Sequence, residues 1–525
     1  MYLNEKIGED LKKQIINGKK FIFIDAPTGS GKTQLILRML RPWIREQGKS
    51  MLILVSRAIL EEQMEEELYD SIFEDLDTAN AALDQVTTMT YHRCAELVKR
   101  KQMVEYDMVI CDECHFFITD STYAIGAAQI SYNWVVNQKQ ATKIFLSGTM
   151  DSFHAFINND RELVYDHMLS MRKATIISNG ANSAIRFHER SDYSSLRTKY
   201  LNSNEEIITL CEQNKGKKSI IFTSSLYTGE NLLEELKEKN IKAFFLTSQN
   251  RDSEEGGKVV KTLAEKGFFP LDVLIATAVL DVGVSIKDRN LNQIFIRSYN
   301  QEEFLQMIGR VRVPQEKGYE GITLYINKIK QQYVDRRLDS ERDIINTIEL
   351  ARKKDDLALA FANGELSRDK CPFLYFTADS VEISNLAVYR HRELFKKYKE
   401  VSEGLAVDPD FFLMKQLGWL GLEESYSIQN YVGKEVREEI KKEVAESLEK
   451  IYLEYGDKEL SGKDEKIKLL AKIKPYVRKL NSQYVRSNNT LSDKKFNEFC
   501  EEEGFPYYIE IIHTDPTRYI LKKQD

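Results

Sequence analysis

Six cysteines in 525 residues are too few for a disulfide framework, so the sequence predicts a reducing, cytoplasmic setting. Nine prolines, thinly spread, exclude a Pro-rich tract and leave the linkers unmarked by composition. No stretch reaches the roughly eighteen consecutive apolar residues of a membrane-spanning helix, so no membrane partner is expected. The opening Met-Tyr-Leu-Asn-Glu-Lys also lacks the apolar run of a signal peptide. Positive charge is not in excess: 75 basic against 82 acidic residues give a net charge of −7. That excludes a histone-like carpet of cations, although a basic groove can still sit inside an acidic chain. What is present, 42% hydrophobic and 30% charged residues, suits a globular chain with several cores.

Short apolar runs at Phe21–Ile24, Met51–Val55, Met108–Cys111 and Ile144–Leu146 alternate with helical patterns such as Gln34–Arg45 and Ile59–Leu68. Each run fits a strand buried on both faces of a parallel sheet. The pattern returns at Ser219–Phe222, Ala243–Leu246, Val273–Ala276 and Gln293–Ile296, with a helix at Gly229–Lys239 between strands. Two such blocks in tandem predict an α/β chain with two parallel-sheet domains. Residues 1–152 form the first, and residues 153–330 a linker followed by the second. Residues 331–525 read as a mainly helical accessory region, ending in two strand-like runs, Tyr507–Ile512 and Tyr519–Leu521.

The strongest chemical signal opens the first block. A strand is followed by Ala26-Pro-Thr-Gly-Ser-Gly-Lys32-Thr33 and then a helix. Backbone N–H groups of such a loop and of the helix N-terminus point at phosphates, and the helix dipole adds to their pull. Within Thr28, Gly29, Ser30, Gly31, Lys32 and Thr33, the glycines permit close approach. Lys32 reaches the β- and γ-phosphates, and Thr33 offers a hydroxyl to Mg²⁺. The second signal is Val109-Ile-Cys-Asp112-Glu113-Cys114-His115, two adjacent carboxylates at the end of an apolar strand. At the C-terminal edge of an open sheet, Asp112 is placed to hold the metal and Glu113 to orient or deprotonate water. The same segment spells Cys-x-x-Cys-His, a haem-attachment pattern. No second cysteine pair accompanies it, and packing is the expected role of both thiols.

With these two motifs placed, the chain resembles the superfamily 2 helicases and translocases of the DExH type. Val55-Ser56-Arg57-Ala58 and Thr87-Thr88-Met89-Thr90 are similar to their strand-gripping motifs, and Ser147-Gly148-Thr149 to their Ser-Ala-Thr motif. Ile220–Ser225 resembles motif four, Ile275–Ile286 motif five, and Gln306-Met-Ile-Gly309-Arg310-Val-Arg312 motif six. The resemblance covers residues 1 to about 330. It implies two RecA-like domains with ATP and Mg²⁺ between them, and it adds Asp281 and Gly283 to the nucleotide-contacting residues and Gln306 to the catalytic ones. It also implies an arginine finger, Arg310 or Arg312. An arginine suits that position, being always charged and able to bond phosphate oxygens in pairs. Arg57, Thr90 and Thr277 are the residues it nominates for nucleic acid.

The resulting expectation is an ATP-dependent helicase or translocase moving along single-stranded or partly duplex DNA. RNA is the alternative polymer, because phosphate contacts do not separate the two. The lean to DNA rests on likeness to origin-binding DExH proteins. The rival is an ATPase-gated sensor or remodeller that engages a protein partner through residues 331–525. In that region Lys463–Arg486 carries excess positive charge with Tyr476 and Tyr484 interleaved. The pattern fits either a strand-tracking surface or a solvated helix face.

Overall fold

The computed structural model describes residues 3–18, 20–27, 29–73, 86–170, 173–174, 182–189, 191–214, 216–277, 286–312, 321–377, 379–427, 430–480, 484–485, 490–513 and 517–524. The strands expected from apolar runs are present, at Phe21–Asp25, Met51–Val55, Met108–Cys111 and Thr142–Ser147, and every residue in them is buried. Their apolar side chains feed both faces of one sheet. Phe23, Phe117, Tyr132, Phe145 and Phe153 pack on one side, and Ile22, Ile53, Ile110 and Ile144 on the other. Across the sheet the order is Val86–Thr90, Met51–Val55, Met108–Cys111, Thr142–Ser147, Phe21–Asp25, Ser183–His188 and Val164–Ser170. All of these are parallel, and the short Lys173–Ala174 returns antiparallel at the edge.

Two of these strands correct the expected boundary at residue 152. Residues 164–170 and 183–188, read from sequence as part of a linker, extend the first sheet on the far side of Phe21–Asp25. Ser183–His188 pairs along the whole of Phe21–Asp25 and is largely buried. Its alternation of Ala184, Ile185 and Phe187 with polar residues is short, and the Asn- and Ser-rich run before it hid the signal.

The second sheet runs Ala243–Leu246, Val273–Ala276, Lys218–Thr223, Leu291–Arg297, Thr323–Asn327 and Arg197–Leu201, the first five of them parallel. Side-chain caps start its helices where the sequence offers Ser or Asn. Ser225, Ser253 and Asn300 accept from backbone N–H groups at the heads of Leu226–Glu238, Glu254–Lys266 and Gln301–Gly309.

The accessory region is two things rather than one. Gln331–Ala351, Leu357–Ala362, Asn385–Val407 and Phe411–Trp419, with the hairpin Leu374–Phe376/Val381–Ile383, fall within the same compact unit as both sheets. A second unit comprises residues 427–525 together with 199–210. Its core joins the helices Gly433–Tyr455, Lys463–Leu480 and Asp493–Glu503 to a sheet ordered Leu460–Ser461, Arg518–Lys523, Tyr507–Ile512. Asp515-Pro516, a turn-forming pair in sequence between the two terminal strands, lies outside the described residues. No described helix is long and apolar enough to cross a membrane.

One buried cation in the first sheet is a liability. Lys143 is 2% exposed, donates to the Gln138 carbonyl at 2.6 Å and lies 4.6 Å from the Phe21 ring centroid. Burial, with Lys20 and Arg161 nearby, lowers its pKa to about 8. Between that value and the unfolded lysine's ordinary one, the unfolded chain binds more protons. Stability therefore rises with pH in that window. We expect the stability of the parent relative to Lys143→Met to increase by on the order of 1–3 kcal/mol from pH 8 to 10, read by urea denaturation. A difference that is flat with pH would show that this lysine is not destabilised by burial.

Candidate active site

The first strand delivers the chain at Asp25 into Ala26 and Pro27, and two glycines in left-handed backbone, Gly29 (φ +89°) and Gly31 (φ +96°), turn it into the helix starting at Lys32. The N–H of Leu3 donates to the Ser30 carbonyl at 3.0 Å, tying the N-terminal helix to the loop. Lys32 is 8% exposed; its Nζ donates to the Ala26 carbonyl at 3.1 Å and lies 3.8 Å from Glu113 Oε1. Thr33 opens the helix beside it, and Thr28 lies outside the described residues.

Across the sheet edge, the N–H of Asp112 donates to the Leu54 carbonyl at 2.8 Å, and Tyr91 Oη donates to the Asp112 carbonyl at 2.8 Å. Glu113 itself adopts φ +48°, an unusual conformation for a residue with a Cβ. Burial and the neighbouring Glu113 push the Asp112 carboxyl up to about 6. Burial also acts on Glu113, but Lys32, His115 and Arg310 outweigh it and hold that carboxyl well below the usual range. Asp112 Oδ1 is buried and has no hydrogen-bond partner among the described residues. An orphaned carboxylate oxygen within reach of the phosphate-type loop's Lys32 fits a hard divalent cation such as Mg²⁺. Cys111 and Cys114 are fully buried in the aromatic core, where burial raises both thiols well above their ordinary pKa.

His115 connects the two sheets. Its Nδ1 is 3.0 Å from Ser147 Oγ and 3.3 Å from Glu113 Oε2, and Gln306 Nε2 is 2.9 Å from its Nε2. An amide N–H donating to Nε2 leaves the ring proton on Nδ1, facing Ser147 and Glu113. Gln306 also donates to Thr149 Oγ1 at 3.2 Å. Beyond the helix Gln301–Gly309, the N–H of Ile286 donates to the Arg310 carbonyl and that of Arg312 to the Ile286 carbonyl, each at 2.8 Å. The two arginines thus leave a fixed backbone in different directions. Arg310 is buried within electrostatic reach of Glu113. Arg312 lies on the phosphate-type loop, where a Cβ added to Gly29 would come within 2.3 Å of its guanidinium carbon. A cavity of about 580 Å³ is lined by Asp25, Pro27, Glu113, Thr149, Gln306 and Arg312, among others.

The three residues nominated for nucleic acid are not brought into this cluster. The half-exposed Arg57 pairs with Asp120 at 3.3 Å. Thr90 Oγ1 caps the helix Tyr91–Lys99, accepting from the N–H of Arg93 at 3.1 Å. Thr277 follows the strand Val273–Ala276. Asp281 and Gly283 lie outside the described residues. In the basic stretch, Tyr484 is 3% exposed and Tyr476 packs against the same core, so neither is a free stacking platform. Lys472 pairs with Glu454 at 2.7 Å and Lys466 with Asp493 at 3.2 Å, which shrinks the apparent excess charge.

Sequence reasoning missed a polar network under the loop. His188 Nδ1 and Arg186 both reach Asp25 Oδ2 at 2.5 Å, and Arg186 continues to Asp151 at 2.6 Å. Against the effect of burial, these partners lower the Asp25 pKa. Only the pairing of Ser183–His188 with Phe21–Asp25 brings the residues together.

The family model described as "Type III restriction enzyme, res subunit" matches residues 2–152, and that described as "Helicase conserved C-terminal domain" matches residues 202–313. The chain belongs to the superfamily 2 helicases. It is an ATP-hydrolysing, nucleic-acid-dependent enzyme of two RecA-like domains with a helical C-terminal region. No curated protein sequence matches the helicase. Solved structures similar to it include S. cerevisiae Dbp5 bound to RNA and ADP BeF3, 16% identical over 62% of this chain and 84% of that one, with a TM-score of 0.45. Another is the Mycobacterium smegmatis helicase Lhr bound to ssDNA and AMP-PNP, 15% identical over 64% of this chain and 47% of that one, with a TM-score of 0.40.

The contact between Gly29 and Arg312 has a direct test. Gly29→Ala places a Cβ on the guanidinium and imposes left-handed backbone on alanine, a strain of about 1–2 kcal/mol. We expect ATP turnover to fall by roughly 100-fold, the scale of a small misplacement of a reacting group. Steady-state hydrolysis measures it, and a parental rate would mean that the loop and Arg312 need not meet.

Proposed function

We propose that ATP binds between the two RecA-like domains with its phosphates on Gly29, Ser30, Gly31 and Lys32, and that this is a helicase of the DExH type. Thr28, Asp281 and Gly283 belong to the same reading by resemblance. Thr33 and Asp112 would hold Mg²⁺, which neutralises phosphate charge and fixes the orientation of the oxygens. Glu113, kept ionised by Lys32 and His115, orients the attacking water and takes its proton. Arg312 is the finger: it lies against the loop that cradles the phosphates, whereas Arg310 is buried near Glu113 and sustains that carboxylate's charge. Gln306 links closure of the second domain to the water-activating residues through His115 and Thr149. The observation that carries the reading is this convergence of Glu113, Thr149, Gln306 and Arg312 from both domains on one cavity, with Lys32 and His115 set against Glu113.

Alternate closing and opening of the cleft then moves the protein along a single strand held by Arg57, Thr90 and Thr277. DNA is the preferred polymer. That preference rests on the likeness to origin-binding DExH proteins; Arg57 supports a hold on the phosphates of either polymer, because its guanidinium is half exposed and its partner Asp120 is an exchangeable contact. The Thr90 hydroxyl accepts from Arg93 yet keeps its own proton to donate to a phosphate.

Lys32→Ala should weaken nucleotide binding by about tenfold or more, since its ammonium meets phosphate in the ground state. Glu113→Gln should bind nucleotide normally and lose turnover by at least about 10³-fold. Equilibrium titration alongside hydrolysis separates the two, and near-parental turnover in Glu113→Gln would falsify the role given to that carboxylate.

Single-stranded DNA in excess should raise the hydrolysis rate of the parent by about tenfold or more, a small part of the roughly 10³–10⁵ that engaging an arginine finger can supply. RNA should raise it less. Equal stimulation by both polymers would remove the DNA preference. Stimulation by neither would favour a sensor gated by a protein partner.

A further inference from the structure

Four residues beyond Thr149 and Gln306 form a second bridge between the two RecA-like domains. Glu302 sits in the first turn of the helix Gln301–Gly309, its N–H bound by the capping Asn300 Oδ1 at 2.8 Å. Its side chain is 7% exposed, and its Oε1 accepts from Ser152 Oγ at 2.6 Å. Residues four apart lie on one helix face, so Glu302 and Gln306 reach into the first domain side by side. One meets Ser152, and the other meets Thr149 and His115.

A carboxylate buried this deeply needs cations, and the accessory helix Asn385–Val407 supplies them. Lys397 Nζ is 3.4 Å and Arg390 Nη1 3.9 Å from Glu302 Oε1, and Arg390 is itself 4% exposed. Against the upward push of burial, these two cations and the Ser152 bond bring the Glu302 carboxyl down to about 2. The head of the same helix is fixed to the first domain. Ser384 Oγ and the N–H of Leu386 both donate to Gln129 Oε1, at 2.9 and 3.1 Å, and the Tyr389 ring lies 5.2 Å from that of Phe156. The accessory helix therefore touches the first domain directly and the second through Glu302. A neutral or apolar residue at 302 would fill the space without the desolvation cost of an ion, so the charge points to geometry rather than packing.

We propose that Glu302 is a positioning residue for ATP hydrolysis, clamped between Ser152 and the accessory cations Arg390 and Lys397 so that Gln306 meets His115 and Thr149 in register. The accessory helix thus takes part in hydrolysis without touching nucleotide. This rests on the roles given above to Gln306 and Glu113.

The test uses the full chain with Glu302→Gln, Arg390→Met, Ser152→Ala and the double variant Glu302→Gln/Arg390→Met. Each is compared for kcat and for equilibrium affinity toward a non-hydrolysable ATP analogue. Glu302→Gln is expected to lose roughly tenfold in kcat, less than a full misplacement, with nucleotide affinity within about twofold of the parent. Arg390→Met should lose as much, Arg390→Lys should recover most of it, and the double variant should lose no more than either single change. Ser152→Ala removes only a hydroxyl and should show the same split at smaller size, which keeps the test valid if the charge variants fold poorly. A parental kcat in Glu302→Gln overturns the proposal, as do equal losses of affinity and kcat, or additive losses in the double variant. Glu113→Gln runs alongside. If it is inactive while Glu302→Gln is unaffected, only this inference fails; if it is active, the underlying site assignment fails.

Discussion

Two adjacent carboxylates at the end of one buried strand cannot both be ionised cheaply, and the site is organised around that constraint. Asp112 and Glu113 share a pocket in which burial raises both, and a single lysine, Lys32, stands close enough to settle the difference. The lysine and the His115 ring lean toward Glu113, so that group keeps its charge while Asp112 is left wanting a cation. The environments push the two carboxyls apart, and a division of labour follows from that separation. The glycines of the loop, the short helix after it and the buried strands beneath all keep Lys32 where the balance can be struck.

The second consequence is that the surroundings of Glu113 are not set by the first domain alone. The tautomer of His115 depends on which ring nitrogen Gln306 occupies, and Gln306 belongs to the second domain. Proton placement next to Glu113 therefore reports on whether the two domains are in contact. Glu302 and the accessory helix extend this dependence to residues that have no nucleotide chemistry of their own.

Much of this was legible in the sequence, for physical reasons. Strands buried on both faces, such as Met51–Val55 and Val273–Ala276, are unbroken apolar runs and were expected at nearly their observed limits. Val86–Thr90 was legible only as a motif, because a half-buried strand with three threonines has no apolar run. Lys32, Asp112 and Glu113 could be nominated because phosphate, metal and water chemistry restrict residue type within a few positions, and Gln306 through the resemblance alone. Arg310 and Arg312 could not be told apart there, since what each lies near is set by tertiary approach. Nor could Asp25 be paired with His188, or Ser152 with Glu302, since those contacts depend on tertiary approach alone. The basic stretch illustrates the opposite error: counted charges overstate a surface when Glu454 and Asp493 already answer two of the lysines.

The chain leaves the first sheet at His188 and enters the second at the strand Arg197–Leu201, and residues 199–210 belong to the unit otherwise built from residues 427–525. Tyr200 and Ile207 are completely covered there, with the Tyr200 carbonyl accepting from the N–H of Val432 at 3.0 Å and its ring 5.3 Å from that of Tyr431. The last hundred or so residues are therefore not a detachable tail. Cutting the chain after Tyr426 would strip the Val432 and Tyr431 contacts from Tyr200 in a strand of the second sheet. During synthesis, that strand has to wait for these contacts until the rest of both sheets has already emerged.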